Sequence, residues 1–295
     1  MGRSKIEWTD KTWSVTTGCT WMSAGCDNCF AERMAKRLQT MGHKKYEHGF
    51  DVVEHMGLLE QPFHWRKPCR VFVSSMGDLF HADISDEFVA AVFGTMAANP
   101  HLTFQILTKR PLSMIKWFNW LKSRMYSESS LAMGCIKELE KIVGSSVIVA
   151  SDFDIPIPWP LPNVWLGVTG EDQREVDWRV PSLLKCPAVL HFISCEPMLG
   201  PIELQHERGW LEPFFETDPM LNKTPRLNWV ICGCESGPSR RYTRKEWVKS
   251  LRDQCVTAGT PFFLKQLGGV RPKDKIIKMP ELGGSVWGQF PEGIC

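Results

Sequence analysis

Three cysteines, Cys19, Cys26 and Cys29, share one short loop, with six and then two residues between them. Thiolates are soft ligands, and three on one loop can hold zinc or an iron–sulfur cluster. The count matters. A structural zinc or a fully ligated cluster takes four protein ligands, whereas three leave one metal position open to a small molecule. Spacing alone leaves three readings: an open cluster, a zinc knuckle with a remote fourth ligand, and reduced thiols partly buried as small hydrophobes. His43, His48 and Cys69 are the remote ligands on offer for the second reading.

Other reactive side chains gather where apolar runs end. These ends carry Gly77, Asp78 and His81; Lys109 and Arg110; Thr169 and Glu171; Ser194 and Glu196; Glu235; and Lys265. In parallel βα folds, function collects at the carboxyl ends of strands, so this recurrence points to one shared rim. Cys232 and Cys234 flank Gly233 at one such end. Alternation places both on one face, and with only two ligands visible, burial is the simpler reading. No histidine pair has zinc-helix spacing and no phosphate-cradling GxxxxGK[ST] is present. Gly233-Cys234-Glu235-Ser236-Gly237 is not a nucleophile elbow, because Glu235 stands before Ser236.

The elements that must position these groups alternate along the chain. Thr12–Thr17 reads as a strand, and Phe30–Leu38 as a helix with apolar positions at helical spacing. Further strands are expected at Val71–Ser75, Thr103–Thr108, Val164–Val168, Val189–Ser194, Trp229–Gly233 and Pro261–Lys265. Helices are expected from Glu87 to Ala98 with Asp86 as cap, from Pro111 to about Lys122, after Glu171, and from Thr243 to Ala258. Residues 123–160 break the rhythm with a charged helical stretch around Ile136–Glu140, the run Val147–Ala150 and a Pro-rich segment from Ile155 to Pro162. They read as an insertion placed to act as a lid or a partner surface. Short apolar strands alternating with helices are the signature of an α/β chain with a parallel sheet.

Composition sets the outer bounds. The 295 residues suffice for one large domain or two modest ones, and 43% hydrophobic with 23% charged residues is a globular balance. A net charge of +2 carries no global nucleic-acid signature, though it leaves room for a local basic groove. No apolar run reaches membrane-spanning length and the N-terminus lacks a signal-peptide core, so a cytoplasmic protein is expected. There, 11 cysteines, an odd number, call for metal ligation or burial rather than a disulfide framework.

The cysteine loop at a strand-to-helix junction of a βα-repeat chain resembles radical S-adenosylmethionine enzymes, whose common spacing is three and then two. Longer stretches are similar to a family of phage and mobile-element proteins with that fold. The similarity is carried by Ile6–Asp10, the cysteine loop, Phe72–Phe80, Leu107–Pro111, Asn163–Thr169, Ser194–Pro197, Cys232–Pro238 and Leu251–Cys255, and it covers most of the chain. Phe30 follows the third cysteine where such relatives usually carry tyrosine. The resemblance implies a partial (β/α)6-type TIM barrel of parallel strands over residues 1–266, including the insertion, and an irregular C-terminal extension over 267–295.

It further implies that Cys19, Cys26 and Cys29 hold a [4Fe-4S] cluster whose fourth iron chelates S-adenosyl-L-methionine. Reductive cleavage of that cofactor yields a 5′-deoxyadenosyl radical that abstracts a hydrogen from the substrate. Gly77 and Asp78 are expected near the cofactor's amine, and Thr169, Glu171 and Ser194 near its ribose and carboxylate. Lys109, Glu196, Glu235 and Lys265 are then left for the substrate. Phage kinship points to modification of a DNA base, by rearrangement or isomerisation of a thymine-derived side chain. The expected partners are DNA or a nucleotide-derived substrate and an external electron donor, in a host cytoplasm. The rival reading is a non-enzymatic zinc-binding module that recognises nucleic acid or protein.

Overall fold

Apolar runs flanked by turn residues form the frame of the structure, a computed structural model that describes residues 4–124, 130–144, 157–212, 225–271 and 273–292. Seven strands run parallel: β1 (Lys11–Trp13), β4 (Cys69–Val73), β5 (Leu102–Thr108), β6 (Val164–Thr169), β7 (Leu190–Cys195), β8 (Leu227–Gly233) and β9 (Phe262–Gly268). An eighth, β10 (Ile276–Lys278), pairs antiparallel with β9 and ends the sheet, whose order is β1-β4-β5-β6-β7-β8-β9-β10. Two minor ladders join β2 (Thr16–Thr17) to β3 (Val53–Glu54) and β11 (Glu281–Leu282) to β12 (Ser285–Val286).

The mostly parallel sheet is curled into a half-barrel. Side chains from separated strands meet on its concave face, where Trp165, Phe192, Trp229 and Phe263 form a core with Trp8, and Phe72 packs against them. On the convex face, alternate strand residues such as Val71, Phe104, Leu166, Ile193 and Val230 pack beneath helices. These helices are α2 (Asp86–Ala97), α3 (Pro111–Ser123), α4 (Leu131–Val143), α5 (Gln173–Leu183) and α6 (Lys245–Thr257). The helix α1 (Phe30–Thr40) follows the cysteine loop and buries Ala35 in a smaller cluster with Tyr46 and Met76. Residues 196–212, which follow β7, contain no helix.

Four expectations change. The first strand is broken: β1 stops at Trp13, and Thr16–Thr17 leaves the main sheet to pair with β3. The cap of α2 is Ser85 rather than Asp86, its side chain accepting from the Phe88 amide at 3.3 Å. Within 123–160, the described helix α4 lies against α2 on the convex side, so it covers the outer layer and not the rim. Val147–Ala150 and the start of the Pro-rich segment lie outside the described residues. The segment after residue 266 is not irregular, since it completes β9 and supplies β10, β11 and β12.

The sheet stays open, with β1 and β10 as its two edges. Lys278 reaches across the gap to Glu7 at 2.5 Å and to the Lys5 carbonyl at 3.2 Å. Among the described residues no helix is long and apolar enough to cross a membrane.

Candidate functional site

The carboxyl ends of β4 to β9 and the cysteine loop enclose a cavity of about 590 Å³, within the range of small-molecule sites. Trp8, Phe72 and Leu107 supply apolar wall. All three loop cysteines face this space, as do Gly77, Asp78, Lys109, Thr169, Ser194, Glu196, Glu235 and Lys265. Of the strand-end residues singled out from sequence, Glu171, His81 and Cys232 do not line it.

The loop is positioned residue by residue. Gly18 has φ of +81°, and a Cβ there would fall 2.0 Å from the Asp51 carbonyl oxygen, so only glycine makes this turn. Its amide donates to the Met76 carbonyl at 3.0 Å, which delivers Cys19 beside the end of β4. Two acid–base pairs then grip the middle of the loop from different strands. At the end of β6, Glu171 accepts from the Gly25 amide at 3.2 Å and from Arg179 Nη1 at 2.7 Å. Arg179 is itself fully buried and also donates to the Thr169 carbonyl and to Glu175. Burial alone would raise the Glu171 pKa, but Arg179, with Lys109 beyond it, holds the carboxyl below its ordinary value.

At the end of β8, Glu235 accepts from Asn28 Nδ2 at 3.0 Å and from the Arg241 amide at 2.7 Å, and pairs with the Arg241 guanidinium. That guanidinium also donates to the Ala24 carbonyl at 2.6 Å and to Asp27 at 3.0 Å. Arg33, from α1, donates to the Ser236 carbonyl at 2.7 Å. Burial would raise the Glu235 pKa too, and the hydrogen bonds from Arg241 and Asn28 bring it below the usual value. Glu171 and Glu235, expected at cofactor and substrate, are therefore both engaged in holding the cysteine loop.

Cys19 sits against a second charged group. Arg110 Nη1 lies 3.5 Å from the Cys19 sulfur, and Nη2 donates to the Thr20 carbonyl at 3.1 Å and its hydroxyl at 2.7 Å. Asp78, 3.6 Å from Arg110, accepts from the Thr108 hydroxyl at 2.7 Å and the Lys109 amide at 3.2 Å. Burial, reinforced by Asp78, pushes the Cys19 thiol up to about 11 against the opposing pull of Arg110. His81 meets the Thr20 hydroxyl at 2.9 Å, and burial with the Arg110 charge keeps its pKa below the ordinary value. Sequence reading placed Arg110 only among the strand-end residues, because nothing in a linear sequence shows which strand end faces Cys19.

The far side of the cavity is built from ion pairs. Lys265 and Glu196 meet at 2.5 Å, and Glu7 is matched by Lys278. Lys109 lines the cavity with no salt-bridge partner among the described residues, its charge felt by Glu171. Cys234 also lines it, whereas Cys232 is buried in the convex core against Met198. Alternation predicted one face for both; a register shift between Cys232 and Gly233 opposite β9 separates them. Burial, with Glu196 adding, pushes Cys234 up to about 11.

Among the described residues, no group of three or more His, Cys, Asp or Glu side chains is drawn together as a metal site. Cys19, Cys26 and Cys29 share a wall of the cavity without converging. None of the remote candidates for a fourth ligand lines that cavity. His43 packs on Tyr46, His48 is exposed beside Glu47, and Cys69 opens β4 next to Asp10 and Lys11, at the opposite end of the strand. By their chemistry the three loop thiols on this cavity are soft donors of the kind an iron–sulfur cluster takes, and none of the remote candidates joins them there.

No curated protein and no solved structure matches the chain. The sequence model of one family matches residues 3–291, nearly the whole length, and the chain belongs to that family, described as "Protein of unknown function (DUF5131)".

Proposed function

We propose that this protein is a radical S-adenosylmethionine enzyme, built on a (β/α)6-type portion of a TIM barrel. The observation that carries the reading is the cavity itself. Three thiols from the loop after the first strand share it with polar ends of six other strands, and among the described residues no imidazole lines it. A [4Fe-4S] cluster on Cys19, Cys26 and Cys29 would supply the electron that cleaves the cofactor's sulfonium and so generates a hydrogen-abstracting radical.

This chain's residues provide the surroundings. Gly77, Thr169 and Ser194 offer a polar wall of small groups for the cofactor, and Asp78 fixes the backbone at Lys109. Lys109 and the Lys265–Glu196 pair remain to orient a substrate, and Trp8 and Phe72 keep the floor dry. The proposed substrate is a thymine-derived side chain of DNA, rearranged or isomerised. A cavity of this size admits a flipped base or a free nucleotide and excludes a stacked duplex.

The test is anaerobic reconstitution. The protein should turn brown, bind about four irons per chain, and form 5′-deoxyadenosine from S-adenosylmethionine and a reductant. Cys26→Ala should abolish both, while Cys232→Ala leaves iron binding intact. Colourless protein with one tightly held zinc would overturn the reading in favour of a zinc-binding module. Mass spectrometry of nucleosides from DNA exposed to active enzyme tests the substrate; unaltered bases alongside cofactor cleavage would remove DNA from the proposal.

A further inference from the structure

We propose that Arg110 positions Cys19 and sets the reduction potential of the cluster, with Asp78 acting against it; this rests on the cluster reading above. Arg110 stands at the junction of β5 and α3, where its amide donates to the Thr108 hydroxyl at 2.8 Å and Pro111 begins the helix. Its side chain is buried and its guanidinium grips the corner that carries the first cysteine, with one nitrogen on the Cys19 sulfur and the other on both oxygens of Thr20. Among the described residues, no other side chain hydrogen-bonds a loop sulfur. The clamps from Glu171 and Glu235 hold Gly25, Ala24, Asp27 and Asn28, and touch no sulfur.

A guanidinium stays charged at every accessible pH and its planar fork is held here at three points. A hydrogen bond and a positive charge at a ligating sulfur stabilise the more electron-rich state of a cluster, which raises its potential. Asp78, 3.6 Å from the guanidinium and also a charge neighbour of Cys19, opposes that effect. The two side chains form a pair of opposite sign beside one ligand. Loss of each should move the potential in opposite directions, which a merely structural role would not do.

The experiment is an EPR-monitored redox titration of anaerobically reconstituted protein, without S-adenosylmethionine or substrate, with iron counted for each variant. At a fixed poise, Arg110→Met should lower the ratio of reduced to oxidised cluster about tenfold, a shift of about 59 mV to more negative potential for one electron. Asp78→Asn should raise that ratio, and Arg110→Lys, which keeps charge but loses the fork, should fall between wild type and Arg110→Met. Wild-type protein that takes up no iron would remove the cluster reading and this proposal with it. Fully loaded Arg110→Met with an unchanged potential would overturn the proposal alone. Should Arg110→Met fail to hold iron, opposite shifts in Arg110→Lys and Asp78→Asn still support it, and shifts of the same sign overturn it.

Discussion

Glu171 shows what a single side chain does when its charge has nowhere else to go. It is 1% exposed, faces a fully buried Arg179, and takes the Gly25 amide of the cysteine loop on its other oxygen. Removing one partner of a buried pair leaves the other uncompensated and typically costs ~3–5 kcal/mol. Glu175 still contacts Arg179 at 2.6 Å, so Glu171→Ala should fall near the lower end, about 3 kcal/mol by urea denaturation. Faster alkylation of Cys26 in native Glu171→Ala than in wild type would report the freed loop; equal rates would refute the clamp. The same carboxyls predict an acid limb. Glu171 and Glu235 are both held below the ordinary glutamate value of 4.5, so their contribution is complete above about that pH and drains as the pH falls through the lower folded values. Melting temperature measured against pH should drop below this point, and drop less steeply in Glu235→Gln. At this scale the sequence showed which residues were reactive but not their partners. Asp78, Glu171 and Glu235 all terminate strands as read, yet what neutralises them comes from Arg110, Arg179 and Arg241, whose side chains meet them only through the fold.

Elements were legible where one period dominates. The strands β5 to β9 and the helices α3 and α6 sit close to their sequence readings because buried strands and amphipathic helices leave strong patterns. What failed was decided by a neighbour. A register shift opposite β9 turned Cys234 into the cavity, and pairing with β3 pulled Thr16–Thr17 out of the main sheet. Helix α4 is the clearest case, since its place on α2 depends on Gly94, where a Cβ would lie 2.3 Å from the Cys135 carbonyl oxygen. The two backbones can approach this closely only because that side chain is missing. Gly94→Ala gains helix propensity, ~1 kcal/mol, but overpacking against rigid backbone costs ~1–3 kcal/mol or more. Net destabilisation is expected, seen as a lower denaturation midpoint with an unchanged slope. A stabilised Gly94→Ala would mean that α4 does not dock where the structure places it. Gly167, inside the barrel, makes a contrasting control: its Cβ would meet the Phe192 ring at 2.5 Å, a clash with a side chain rather than a backbone.

For the molecule as a whole, the problem is the open edge. A half-barrel exposes unpaired strand groups and an aromatic interior where a closed barrel would not, and such edges invite pairing with other chains. The C-terminal segment, expected from sequence only as an irregular extension, answers both. Antiparallel β10 covers Gln266 to Gly268, and the chain then returns so that the Leu264 amide donates to the Trp287 carbonyl at 2.8 Å and Gln289 to the Phe262 carbonyl at 3.2 Å. Its last aromatic, Phe290, packs 5.3 Å from the Trp229 ring and 5.2 Å from Phe263, with the Arg70 guanidinium 3.9 Å from the centre of the Phe290 ring. Short strands and long-range contacts of this kind leave no local period, which is why the tail escaped the reading. Half-buried Phe290 stabilises by about 2 kcal/mol, from area burial and the cation–π contact together. Phe290→Ala should therefore lower the denaturation midpoint by that amount while the protein keeps its elution volume. Deleting residues 270–292 should do more, uncovering the β9 edge, and the product should self-associate on size-exclusion chromatography. A truncated chain that elutes and melts like the intact one would show that the half-barrel protects its edge by other means.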